Sequence, residues 1–196
     1  MWPLLLASLI AVFTVVERLL FYLQERSHHA PRFAEDVFVL VDKGQFDKAV
    51  EIGTASPNFV ARTLAYGIQN RELGLDTAVM RASASELRNF HRGLPTLDTI
   101  VTLAPLLGLL GTVTGLIHAF ALLGRQEING AAAITGGIAQ ALIATGFGLA
   151  IAIIALVPHN MLNARLESAR LEIEDAANRL ELLLARNHHA NTITSN

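Results

Sequence analysis

The chain has 196 residues, 52% of them hydrophobic, a positive mean hydropathy and a formal charge of -2. That composition describes an integral membrane protein with room for a few spans and one modest water-exposed part. The lack of a basic excess excludes a nucleic-acid binder, and the absence of cysteine excludes a disulfide framework, a thiolate nucleophile and a cysteine metal site.

Trp2 to Leu23 is apolar apart from Glu17 and Arg18. A cleaved signal peptide carries positive charge ahead of its apolar region, whereas here no Lys or Arg precedes Arg18, so residues 1–23 are expected to be a retained span with its amino terminus outside. Arg18, Arg26, Arg32, Lys43 and Lys48 follow and assign the next part to the cytoplasm by the positive-inside rule. Glu17 and Arg18 are expected at the inner interface, where long side chains snorkel to water. An ion pair and a part in the mechanism are both open for them.

Residues 24–97 are expected to be a cytoplasmic helical region. FAEDVFVLVDKGQFDKAVEI reads as two short amphipathic helices broken at Gly44, with Phe33, Val37, Leu40 and Val41 at helical spacing. Thr54 to Asn58, with Pro57, is expected as a loop. Phe59 to Gly74 and Leu75 to Phe90 are expected as further helix, the second running on into the membrane. Asp36, Asp42, Asp47 and Glu51 are expected to form a solvated face.

Residues 98–123 form the expected second span, LDTIVTLAPLLGLLGTVTGLIHAF being uncharged after Asp98. It is an unusual lipid-facing helix. Pro105 lacks a backbone donor, and Gly108, Gly111 and Gly115 recur on one side, which suits close contact with another helix. Residues 124–132, with Arg125, Glu127 and Asn129, are expected as a polar turn on the outside. Residues 133–158 form a third span without a charged side chain, so the two spans make an antiparallel hairpin. Gly137, Ala141, Thr145, Gly148 and Ala152 share one side of that span, with Gln140 beside it. Thr112 lies about 13 residues into the outward helix and Thr145 about 11 into the returning one, which puts both hydroxyls near mid-membrane. A polar lining shared by both helices and a local bond to each threonine's own i-4 carbonyl remain open.

Residues 159–196 are expected as a cytoplasmic C-terminal helix and tail. Arg165, Arg170, Arg179 and Arg186 mark the inner side. Leu162, Leu166, Ala169, Ile173, Ala176, Leu180 and Leu183 continue an amphipathic helix to Arg186, with a frayed tail from Asn187.

APLLGLLGTVTGLIHAF at 104–120, GIAQALIATGFGLAIAI at 137–153 and the following Asn160 together resemble the MotA/TolQ/ExbB proton channel family. Three spans and a small cytoplasmic part match its ExbB and TolQ branch, and the wording GIAQALIATGFGLA is most similar to ExbB. The resemblance implies an all-α, ring-shaped homopentamer in the bacterial inner membrane. Its second and third spans would line a pore around the single-span helices of an ExbD-like or TolR-like partner. It also implies a TonB-like or TolA-like energy transducer, no enzyme activity and no cofactor. Thr112 and Thr145 correspond to the family's pore threonines. Gln140 stands where ExbB-type proteins usually carry glutamate, and Ile154 where the third span usually has proline.

The residues themselves add a constraint. A proton relay needs a group that gains and loses a proton, and the second and third spans offer no Glu or Lys and no Asp beyond Asp98 at the edge. Thr112, Thr145 and Gln140 supply hydrogen bonds only, so this subunit is expected to depend on a partner's Asp. His118 lies towards the outer end, in an expected interfacial or structural role. His28-His29 and His188-His189 are expected to be incidental, with no metal site. A membrane scaffold and an intramembrane enzyme are the rival classes, and the spans hold no nucleophile-base pair for the latter.

Overall fold

The computed structural model describes residues 2–28, 32–123 and 130–194. These residues fold into helices α1 (Trp2–His28), α2 (Arg32–Asp42), α3 (Phe46–Ala55), α4 (Phe59–Gln69), α5 (Leu75–His91), α6 (Leu94–Leu123) and α7 (Gly130–Thr194), with a 3-10 turn at Arg71–Leu73. The expected turn residues Arg125, Glu127 and Asn129 lie outside the described residues, as do the side chains of His28, His29, His188 and His189. The chain divides into two units, Met1–Leu20 with Gly93–Leu162, and Phe21–Arg92 with Asn163–Asn196.

The first unit holds α6 and the first half of α7. Leu94–Ala121 and Ile134–Asn187 each contain a stretch long and apolar enough to cross a membrane. Between them runs a contact of small residues, and large apolar side chains such as Leu106, Leu109, Phe147 and Ile153 remain exposed on the outer faces. Such surfaces belong against lipid or other protein, since a contiguous apolar patch of this extent is not left in water. From α1, Leu4 and Ala11 pack with Leu97, Ile100 and Ala104 of α6, while Leu5, Leu9 and Phe13 stay exposed.

The second unit wraps α2 to α5 around residues of α7 after Asn163. The break between α2 and α3 falls at Gly44, whose φ of 70° suits a residue without Cβ. Val37 and Val41 of α2, Leu64 and Ile68 of α4, and Ile173 and Leu180 of α7 form its apolar core. The helical stripe Ala169, Ile173, Ala176 and Leu180 is therefore the buried face of an amphipathic helix. Asn58 starts α4 by accepting a hydrogen bond from Ala61 N at 3.0 Å. Arg62 closes the same turn: it binds Glu86 with two nitrogens, at 2.8 and 2.6 Å, and donates to the Ser56 and Pro57 carbonyls. Arg179 pairs with Glu35 at 2.6 and 2.7 Å while lying over the Phe38 ring.

Two expectations need correction. The helix of α5 does not run on into the membrane segment, because Gly93 takes a φ of 82° between His91 and Leu94 and interrupts it. The chain after Asn187 is not a frayed coil, since α7 stays helical to Thr194, and Asn187 donates to Val41 O at 2.7 Å.

Candidate functional site

The geometry of the α6 and α7 pair follows from where it lacks side chains. A Cβ on Gly148 would lie 2.5 Å from Ala104 O, one on Gly111 2.7 Å from Ala144 Cβ, and one on Gly115 2.7 Å from Ala141 Cβ. A Cβ on Gly137 would meet Ala119 Cβ at 2.9 Å, and one on Gly108 would meet Thr145 Cα at 3.0 Å. Ala104 with Gly148, Gly108 with Thr145, Gly111 with Ala144, Gly115 with Ala141 and Ala119 with Gly137 thus form an antiparallel seam. The small residues let the two backbones approach as closely as helices in lipid can. Pro105, half-buried, sits in α6 beside this seam.

Thr145 adds a polar tie to that seam: its Oγ1 donates to Gly108 O at 2.9 Å. Thr112 makes a different bond. Its Oγ1 donates to Leu109 O at 2.7 Å within its own helix, the local option that threonine often takes in membrane helices. Thr114 does likewise, to Leu110 O at 2.9 Å. Each hydroxyl directs its proton at a backbone carbonyl and retains lone pairs with which to accept a bond. Gln140 is exposed, one residue before the buried Ala141, and its amide makes no hydrogen bond among the described residues. Its neutral amide can donate and accept, and it cannot titrate. His118 is exposed towards the far end of α6.

At the opposite end of the unit the structure departs from a snorkelling Arg18. Arg18 is only 4% exposed. Its stem packs where a Cβ on Gly93 would lie, 2.9 Å from Nε, while Nη2 donates to Glu17 Oε1 at 2.8 Å. The interruption between α5 and α6 thus makes room for an arginine from α1. Near the same end of the hairpin, His159 Nε2 of α7 lies 3.9 Å from Asp98 Oδ1 of α6. Sequence reasoning passed over this pair. The available signal was that one residue stands just before the first apolar run and the other just after the second, the ends that meet when two such helices pair antiparallel. Among the described residues no group of three His, Asp or Glu side chains is placed to hold a metal ion.

Comparison with known proteins locates this seam in a family. The chain is 31% identical over 193 residues to a putative biopolymer transport protein ExbB-like 3 of Synechocystis, an alignment covering 95% of this chain and 90% of the relative. It is 37% identical over 124 residues to a putative biopolymer transport protein ExbB homolog of Methanothermobacter thermautotrophicus, covering 63% of this chain and 41% of the relative. With the biopolymer transport protein ExbB of Pseudomonas putida it shares 35% identity over 106 residues, 54% of this chain and 32% of the relative. The chain thus spans less than half the length of these last two proteins. The sequence model of one family matches residues 55–175, which takes in all of α4, α5 and α6 and both sides of the seam. With more than half of its length matched, this all-helical chain belongs to the MotA/TolQ/ExbB proton channel family.

Proposed function

We propose that the chain is the ring-forming subunit of a motor in the bacterial inner membrane, in which an ExbD-like partner supplies an essential Asp and the proton motive force is delivered to a TonB-like transducer for uptake across the outer membrane. In this reading α1 is a third membrane span with a periplasmic amino terminus, the second unit is cytoplasmic, and five copies surround the partner's helices. Thr112, Thr145 and Gln140 face the proton path and bind water or the partner's carboxylate without titrating themselves.

The observation that carries the reading is the seam itself. Its polar tie is the Thr145 hydroxyl bonded to Gly108 O, Thr112 and Thr114 bond carbonyls of their own helix, and no carboxylate, amine or imidazole stands between Thr99 and Ile117 of α6 or between Ile134 and Pro158 of α7. A path built from such groups can conduct protons only if something else carries the acid. One charge moved through 100 mV supplies about 2.3 kcal/mol, so a few protons suffice for an ordinary conformational step. The biopolymer transport names of the relatives favour uptake over a TolQ-like role with a TolR-like partner and a TolA-like transducer in envelope maintenance. Reconstitution into vesicles tests the central claim: negligible flux from this chain alone and gradient-driven flux with an ExbD-like partner are expected. Robust flux from the chain alone would refute it, and a complex with no flux at all would leave only a scaffold.

A further inference from the structure

We infer that Asp98 and His159 form the proton release site at the cytoplasmic mouth of the α6 and α7 hairpin, an assignment that rests on the proposed proton-driven function. Among the described residues of α6 and of α7 as far as Leu162, the titratable side chains are Asp98, His118 and His159. His118 stands towards one end. The other two meet at the opposite end, with Nε2 and Oδ1 3.9 Å apart.

The imidazole stands between two oxygen atoms, so one ring nitrogen can be held as a donor while the other exchanges a proton. Both ring nitrogens are directed at oxygen atoms, Nε2 at the Asp98 carboxylate and Nδ1 at Asn160 Oδ1, 3.4 Å away. His159 is sheltered, its side chain 21% exposed, whereas the Asp98 side chain is 71% exposed. One group therefore faces the protein and the other faces water. The separation exceeds a direct hydrogen bond, so the proton crosses through a bridging water or after a side-chain rotation. The charged groups that α1 brings to this end are Glu17 and Arg18, joined to each other at 2.8 Å, with Arg18 against Gly93 at the start of α6.

The step is a proton transfer without other bond changes. With Nδ1–H donating to Asn160 Oδ1, Nε2 carries the lone pair and takes the proton that arrives along the hydroxyl-lined path. The proton is then passed to the Asp98 carboxylate or directly to water, and the ring returns to neutral. An imidazole supplies a ring nitrogen that accepts a proton and an N–H that gives one up, which the hydroxyls of the path do not. Thr145 precedes His159 on the same helix by about 21 Å at 1.5 Å per residue. The pair thus serves the exit and does not duplicate the mid-depth hydroxyls.

The test uses the complex of this chain with its partner subunit in vesicles whose lumen faces the cytoplasmic side, with weak internal buffer. His159→Gln is expected to reduce proton flux by about a hundredfold, the lower end of the range for losing a proton-transfer group, and added lumenal imidazole buffer is expected to restore it. Asp98→Asn is expected to give a smaller loss, restored in the same way, and provides an independent reading if His159→Gln fails to assemble. Unchanged flux in both variants, or a loss that diffusible buffer does not repair, overturns the release site while leaving the proposed function intact. Absence of flux in the unsubstituted complex overturns both.

Discussion

Adding one methyl group at Gly148 tests the seam most directly. Its Cβ would lie 2.5 Å from Ala104 O and 3.0 Å from Gly108 Cα, both backbone atoms of α6 that cannot swing aside. Reaching ordinary contact requires α7 to retreat by roughly 0.9 Å, and a gap of that size forfeits a quarter to a half of each dispersion contact along the crossing. The same retreat stretches the Thr145 Oγ1 to Gly108 O bond from 2.9 Å beyond hydrogen-bonding range, a loss of about 0.6 kcal/mol for an interhelical bond in a membrane. Overpacking adds roughly 1–3 kcal/mol, so Gly148→Ala should destabilise the hairpin by about 2–3 kcal/mol. The control is Gly146→Ala, two residues away, where a Cβ meets nothing within 4 Å and the better helix former should be neutral or slightly favourable. Denaturant or thermal unfolding of the two variants in the same detergent measures the difference. Equal stability would refute the close approach of α6 and α7.

Other consequences can be measured on the full chain or its complex. Thr145→Ala removes one bond worth about 0.6 kcal/mol, too little to unfold the hairpin, so the oligomer should persist while energy coupling is lost. Thr112→Ala should behave similarly, and full transport activity in both variants would exclude these hydroxyls from the path. Gly53→Val should destabilise the second unit by about 1–3 kcal/mol through overpacking, because a Cβ there lies 2.7 Å from Ala65 Cβ and 2.8 Å from Ala61 O; an unfolding midpoint equal to that of the unsubstituted chain would contradict this. The side-chain hydrogen bond from Arg179 holds the Glu35 carboxyl below its ordinary value of 4.5. A depressed folded value gives stability that is present above the unfolded value and lost as pH falls through the folded one. Glu35→Gln should therefore lessen the acid sensitivity of unfolding below about pH 4.5 and change little at pH 7, by less than about 1 kcal/mol for so exposed a pair; an identical pH profile would refute the link.

What the sequence made legible was periodicity. The stripe from Ala169 to Leu180 and the glycine side of α6 follow from helical geometry alone, and the structure buries Ala169, Ile173, Ala176 and Leu180. The break at Gly44 was visible because glycine offers no packing and tolerates positive φ. The interruption at Gly93 was legible in Gly93 and Pro95, a helix stop followed by a residue suited to a helix's first turn, but the expectation of a continuous helix passed over it. What the sequence does not show is the arginine beside it: Arg18, some 75 residues earlier, fills the space where a Cβ on Gly93 would lie. Thr112 and Thr145 looked alike in sequence, yet one bonds within its helix and the other bonds across the seam. Which carbonyl a hydroxyl finds depends on helix rotation and depth, and residue spacing does not specify either.

The seam also changes what the glycines can do for assembly. Gly108, Gly111, Gly115, Gly137 and Gly148 all meet the facing helix of the same chain, so these close contacts lie within one hairpin and not between copies. In the proposed ring, subunits must then meet through other faces, and the first unit leaves Leu103, Leu110, Val113 and Ile117 exposed on α6. These are broad branched surfaces suited to interdigitation, unlike the bare backbone of the seam. A bulky residue at Gly111 would therefore open the hairpin first and disturb the ring only as a consequence. A substitution confined to an outer leucine would do the reverse, separating copies while leaving the bond from Thr145 to Gly108 in place. Folding and assembly thus depend on different sides of the same two helices. The Thr145 hydroxyl lies on the side fixed by folding, its bond to Gly108 O made within one chain, so a ring interface could loosen or tighten without unmaking it.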